Sequence, residues 1–302
     1  MRKYLSKGAL TGVLVATSLM ATACPEAPPY GGPPVATRTF MATTVTVNSS
    51  NDGWNIACWE GCDEPRSLNV GFRVKIGVAN SASGQSVYGA NPWPGLVQQG
   101  PAEPDGSHTF INHPQNGDQR GTLTFSNIAM PDLLDLAQGA PVEIVGVWAW
   151  KVEDDGVLSV PPTALASAAA TAIASVLNST LATSTMPAPE GIVGLITSAL
   201  GNVGFFNTVW AGITAILPGF TVDDIVGSAM YVGVGSSGTL ASIIDGVTSG
   251  VAFPAVPIPV VSRPPDIGGG SIFSLGVGTK SFTNNYTNDG VDGQHTMSYT
   301  FG

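Results

Sequence analysis

Residues 68 to 78, Leu-Asn-Val-Gly-Phe-Arg-Val-Lys-Ile-Gly-Val, place an apolar side chain at every even position and a polar residue or glycine at every odd one. A period of two is the mark of a β-strand, whose successive side chains point to opposite faces; on a helix the same residues would scatter round the whole circumference. This stretch is therefore expected to be a half-buried strand. The alternation recurs in MATTVTVN (41–48), QSVYGA (85–90), GTLTFSNI (121–128) and PVEIVGVWAWKV (141–152), with Gly, Pro, Asn and Asp between them. Short strands separated by turn residues predict an antiparallel β-sandwich. Trp148 and Trp150 share one face of the last strand, where burial in the core is expected.

The pattern changes at about Val160. Between Gly156 and Val222 the sole charged residue is Glu190, and the apolar period lengthens from two to that of a helix. In TALASAAATAIASVLNSTL (163–181), Leu165, Ala169, Ile173, Val176 and Leu181 form one stripe on an Ala-rich helix. From Ile192 to Leu217 apolar residues recur by four and three, which keeps one seam facing a partner. Thr-Met-Pro-Ala-Pro (185–189) breaks the two apart, so the expectation is a hairpin of apolar helices. Such a pair can serve as core against the sheet, as a partner-binding surface, or as a membrane-inserting element.

Strand character returns in SAMYVGVG (228–235), GSIFSLGVGTKSFTNNY (270–286) and QHTMSYTFG (294–302). TNDGVDG (287–293) reads as a turn, TLASIIDGV (239–247) as a short helix and AVPIPVVSRPPDIGGG (255–270) as an extended connector. The fold class is thus mainly β: an antiparallel β-sandwich over residues 37–302, with an apolar helical insertion at 161–220 placed before the C-terminal strands.

The N-terminus carries a different signal. Arg2, Lys3 and Lys7 precede a charge-free apolar run, GALTGVLVATSLM, which is too short to span a bilayer and ends in Ala21-Thr22-Ala23. This reads as an export signal over 1–23. Cleavage after Ala23 leaves Cys24 at the new terminus, followed by PEAPPYGGPP, a Pro/Gly run that can form neither helix nor sheet, so residues 24–36 are expected to be an extended spacer. Residues 1–35, with the lipobox-like Ala21-Thr22-Ala23-Cys24, resemble the leader of a bacterial lipoprotein, and that resemblance implies acylation of Cys24 and a membrane anchor. Ordinary cleavage, releasing a secreted chain, is the alternative.

Cys58 and Cys62 are four apart, close enough to bridge across one turn, and an oxidising compartment favours the disulfide. Cys24 is then odd, which lipidation would resolve. A metal is the lesser use of Cys58 and Cys62, since no second Cys or His pair stands at zinc spacing.

Removing the leader takes the formal charge from −10 to −13. An acidic exported chain is a poor match for nucleic acid, whose binding depends on neutralising phosphates, and gains no electrostatic hold on anionic lipid. Gly233-Val234-Gly235-Ser236-Ser237-Gly238 spells G-x-G-x-x-G between a strand and a helix, but Pro-rich coil follows where a second parallel strand should come, so a flexible glycine loop is expected. His108 and His113 stand five apart in a polar loop and suit neither one helical face nor a metal motif. No G-x-S-x-G elbow occurs, and spacing singles out no carboxylate pair among Glu64, Asp105, Glu143 and Asp154. Asp52, Asp63, Glu64, Glu153, Asp154 and Asp155 fall at strand ends, where converging loops would offer oxygen ligands to calcium; solvated loop acids are the plainer reading. The sequence therefore points to an exported cell-envelope protein, lipid-anchored or secreted, that binds a protein or glycan or serves a structural role and is not an enzyme. The alternative is a membrane-active protein using the hairpin 163–217.

Overall fold

The computed structural model describes residues 31–49, 65–90, 107–115, 117–153, 161–218, 225–248, 267–287 and 294–302, and Gly32–Gly302 form one unit. The chain opens with a long strand, β1 (Val35–Ser49), then β2 (Pro65–Lys75), β3 (Ser83–Tyr88), three short strands β4 (Ser107–Thr109), β5 (Asn112–His113) and β6 (Gly117–Asp118), and β7 (Leu123–Ala129). A one-turn helix α1 (Leu133–Ala137) leads into β8 (Glu143–Glu153). Three helices follow, α2 (Pro162–Ser179), α3 (Ile192–Leu200) and α4 (Val203–Ile216). The chain ends with β9 (Ile225–Val234), α5 (Gly238–Thr248), β10 (Ile267–Ser274), β11 (Lys280–Thr287) and β12 (Gln294–Phe301).

Ten of these strands make two five-stranded sheets, and β5 pairs with β6 in a two-stranded one. The central one has the order β10-β9-β8-β2-β3; the outer one runs β11-β12-β1-β4, with β7 also paired to β1. The architecture is mainly β and sandwich-like, as the alternation predicts, and the helices α2 to α4 fall between the neighbouring strands β8 and β9. One pairing departs from the antiparallel expectation: β10 runs parallel to β9, with α5 as the crossover.

Three layers result. Outer-sheet side chains Phe40, Val45, Phe125, Tyr299 and Phe301 pack on Val145, Val147, Ala149 and Tyr231 of the central sheet. The other face of the central sheet, with Leu68, Val70, Phe72, Trp148, Trp150 and Met230, packs on the helices. Trp148 and Trp150 are fully buried, the former edge-on to Phe206 and the latter beside Trp210. The alternating apolar set of β2 does face a core, but the strand is not half-buried. Its odd positions Ser67 and Asn69 are also buried, because the Asn69 amide donates to the Gly121 carbonyl at 2.7 Å and Ser67 donates to Asn69. A polar face can be covered when the covering backbone satisfies it, and alternation alone does not register that.

The helix stripes also meet the sheet as the periodicity requires: Leu165, Ala169, Ile173, Val176 and Leu181 are all buried. Small residues allow the close approach, since a Cβ on Gly84 of β3 would lie 2.2 Å from the backbone oxygen of Ala170 in α2. The second helix of the expected hairpin is broken into α3 and α4, bent by 49°. Asn202 causes the break: its Oδ1 accepts from the Phe205 N–H at 2.9 Å and caps α4, while its amide donates to the Ser198 carbonyl of α3. Val203, on the expected seam, is exposed as a result. Pro162–Thr183 is long and apolar enough to cross a membrane, as is the bent pair Pro189–Leu200 with Val203–Ile216.

Candidate functional site

Strand register brings several strand ends together at one end of the sandwich. Pro65 pairs with Glu153, so β2 is entered and β8 left side by side. His295 pairs with Val47 on one side and Tyr286 on the other, and Tyr286 lies directly over Gly227 near the start of β9. The ends of β1, β8 and β11 and the starts of β2, β9 and β12 therefore gather at the same end. Cys24, Asp52, Cys58, Cys62, Asp63, Glu64, Asp105, Asp154 and Asp155 lie outside the described residues, and of Glu153 only the backbone is described.

Beneath that end the sandwich interior turns polar. Lys151 and His295 are fully buried, with Tyr231, Tyr286 and Tyr299 close to fully so. The Tyr286 and Tyr299 hydroxyls lie 3.1 Å apart, and Tyr299 donates to the Met297 sulfur at 3.5 Å. Burial pushes the Tyr286 phenol up to about 12 and holds those of Tyr231 and Tyr299 well above their ordinary value, each also raised by the neighbouring Tyr286. These phenols keep their protons at neutral pH and stand in the interior as neutral hydrogen-bonding groups.

The remaining candidates are absorbed into the framework. Glu143 is buried; it pairs with the Arg73 guanidinium and accepts from the Ala129 N–H at 3.0 Å, while Arg73 donates onward to the Ser126 carbonyl. This tie closes the free edge of β7 against the central sheet, and nothing in the sequence spacing of 70 residues discloses it. His108 meets the Gln119 side chain at 3.2 Å and His113 accepts from the Gln115 N–H. Both sit on short strands rather than in open loop. Burial alone would raise the Asp118 carboxyl, but hydrogen bonds from Arg120 and Thr122 outweigh it and hold it below its ordinary value. Among the described residues no group of three or more His, Cys, Asp and Glu side chains is placed to hold a metal. A cleft of about 170 Å³ lined by Arg73, Ser83, Gln85, Thr124 and Phe125 is smaller than the roughly 300 Å³ at which ligand pockets begin.

The glycine loop corrects one expectation. A parallel strand, β10, does follow α5, so the unit is β-α-β. The loop is nonetheless shut: a Cβ on Gly235 would lie 2.2 Å from the Ala129 carbonyl oxygen, the Ser237 N–H donates to Pro131, and buried Ser236 meets Ser274 at 2.8 Å. Packing, not a pyrophosphate, uses these glycines.

What remains is the outward face of the outer sheet. The alternation that buries Phe40, Ala42, Val45 and Val47 turns Thr44 and Thr46 outward, and the same holds for Thr296 and Ser298 on β12 and Thr283 and Asn285 on β11. Register aligns them into two rows across four strands, Ser107-Thr46-Thr296-Asn285 and Thr109-Thr44-Ser298-Thr283. Thr46 meets Ser107 at 2.8 Å, Thr296 donates to Asn285 at 2.7 Å and Thr283 meets Ser298 at 3.0 Å. Every position in both rows is a hydroxyl or an amide, and none is charged. The T-x-T and T-x-S repeats were visible in the sequence, but their alignment across strands depends on pairing that only the structure supplies. No protein-family model, curated protein or solved structure matches this chain.

Proposed function

We propose that this is an exported, lipid-anchored cell-envelope protein that binds a partner through the outward face of its outer sheet. The observation carrying the binding role is the pair of registered hydroxyl rows, an ordered polar surface on which no layer packs among the described residues. The anchor reading is supported by the leader, by Cys24 and by the spacer PEAPPYGGPP, which runs almost to the first residue of β1 at Val35. Intact-mass analysis of protein extracted from the membrane fraction tests it. The expected mass begins at Cys24 with an acyl-glyceryl increment, and Cys24→Ser moves the protein to the soluble fraction. A mature N-terminus at Cys24 without the increment contradicts the anchor.

The second reading, a membrane-active protein, is favoured by the length and apolarity of α2 and of the α3–α4 pair. Against it stands their packing on Trp148 and Trp150. Liposome leakage separates the two. The binding reading expects none, whereas leakage lost in Ile216→Asp, an exposed position whose change spares the core, would favour the second.

A further inference from the structure

We propose that the two hydroxyl rows bind neutral polysaccharide. This rests on the reading of the outer face as a binding surface and names its partner. The rows form a lattice, with neighbouring strands about 4.8 Å apart and residues i and i+2 about 6.7 Å apart along each strand. The cross-strand hydrogen bonds at Thr46, Thr283 and Thr296 hold the hydroxyls in place before any ligand arrives, which lowers the ordering cost of binding. Asn48 adds a further donor bond to Thr296 at 2.9 Å. Each hydroxyl has one donor and two acceptor sites, so one cross-strand bond leaves capacity facing outward, and Asn285, accepting through Oδ1, keeps its amide N–H groups for a ligand.

The chemistry of the face selects the occupant. A chain of formal charge −10 has placed no ionisable group in either row, so a polyanion or polycation gains nothing from it. Protein interfaces are anchored by Trp, Tyr and Arg, and the rows have none of these. The rows themselves offer no apolar side chain to a lipid surface, and Met41 beside them is only partly exposed. A neutral polysaccharide is uncharged and periodic, offers donors and acceptors together, and meets the Thr methyl groups with its C–H faces. Individual exposed hydrogen bonds contribute only about 0.5–1.5 kcal/mol. Affinity must then come from repetition, so a polymer should bind and its monosaccharide should not.

Affinity electrophoresis of the purified full-length mature protein tests this, in native gels cast with dextran, soluble starch or mannan beside plain and polygalacturonate gels. We expect retardation in at least one neutral gel, uncompeted by the free monosaccharide. In Thr46→Lys/Ser298→Lys the retardation should fall about fivefold or more, as loss of one or two such bonds implies, and in the shape-conserving Thr46→Val/Thr296→Val it should fall as well, with thermal melting kept near that of the parent. Equal mobility in every gel overturns the proposal, as does retardation confined to polygalacturonate or indifferent to both variants. Dimerisation in sedimentation that the Lys variant abolishes would also overturn it, in favour of a second copy on this face. The assay uses purified protein, so its failure leaves the anchor standing, and loss of the anchor leaves the assay unaffected.

Discussion

The two sheets contain five strands each, yet they differ in what lies on either side of them. The central sheet is covered twice, by aromatic side chains of the outer sheet and by α2 to α5. Between its buried Glu143 and Lys151, strand β8 is consequently apolar on both faces, with Val145, Val147 and Ala149 turned one way and Ile144, Trp148 and Trp150 the other. Among the described residues the outer sheet is covered once, and its strands divide into an inner face rich in aromatic and aliphatic side chains and an outer face rich in hydroxyls. The difference shows how a chain with only 11 % charged residues can present a polar exterior: Thr and Ser are compatible with a pleated strand, as β-formers or small polar groups, and supply hydroxyls where other proteins use Lys and Glu.

Substitutions should therefore separate the sheets. The largest effect is expected at the doubly covered one: Trp148→Ala removes a buried indole between β8 and Phe206 and should cost about 3–5 kcal/mol in denaturant unfolding. A smaller loss is expected at the close contacts between layers. Gly84→Val forces a side chain against the α2 backbone, where even a Cβ would sit at 2.2 Å, and should cost about 1–3 kcal/mol, partly relieved by a shift of α2.

Alkaline pH probes the interior between the sheets. The folded Tyr286 phenol stays protonated up to about 12, whereas an unfolded one ionises near 10. The folded state therefore binds the proton that the unfolded state has released. The contribution of Tyr286 to stability is full below about 10 and is lost as pH rises toward 12. Absorbance of tyrosinate should appear late and together with the loss of tertiary circular dichroism; full tyrosine ionisation in a still-folded protein at pH 10.5 or so would show the polar interior to be open to solvent. The smallest effect belongs to the free face. Thr283→Ala should change stability by no more than about 0.5 kcal/mol, measured by the same unfolding curves, and a loss several times larger would mean that something covers the rows.

Much of this fold was legible in residues. The even-numbered apolar set of β2, the alternating His295, Met297, Tyr299 and Phe301 of β12, and the stripe from Leu165 to Leu181 each name their buried face correctly. Local pattern could not give the layer count, because Ser67 and Asn69 look solvent-facing until Ser67 is seen to donate to Asn69 and Asn69 to the Gly121 carbonyl. It could not give the parallel β9–β10 pair either, since a long stretch of Pro-rich sequence separates the strands, nor the break at Asn202, whose capping role competes with a continuous apolar seam. The candidate surface was legible as T-x-T repeats but not as a lattice, since register between strands distant in sequence is a tertiary property.

The contrast between a twice-covered and a once-covered sheet is tested most directly by solvent paramagnetic relaxation, using a neutral soluble nitroxide and NMR signals of the Thr methyls and Trp indoles. The structure predicts strong broadening of the Thr44, Thr46 and Thr296 methyls and none of the Trp148 and Trp150 indoles. Broadened Trp148 and Trp150 indoles, or protected Thr44, Thr46 and Thr296 methyls in the monomer, would contradict it.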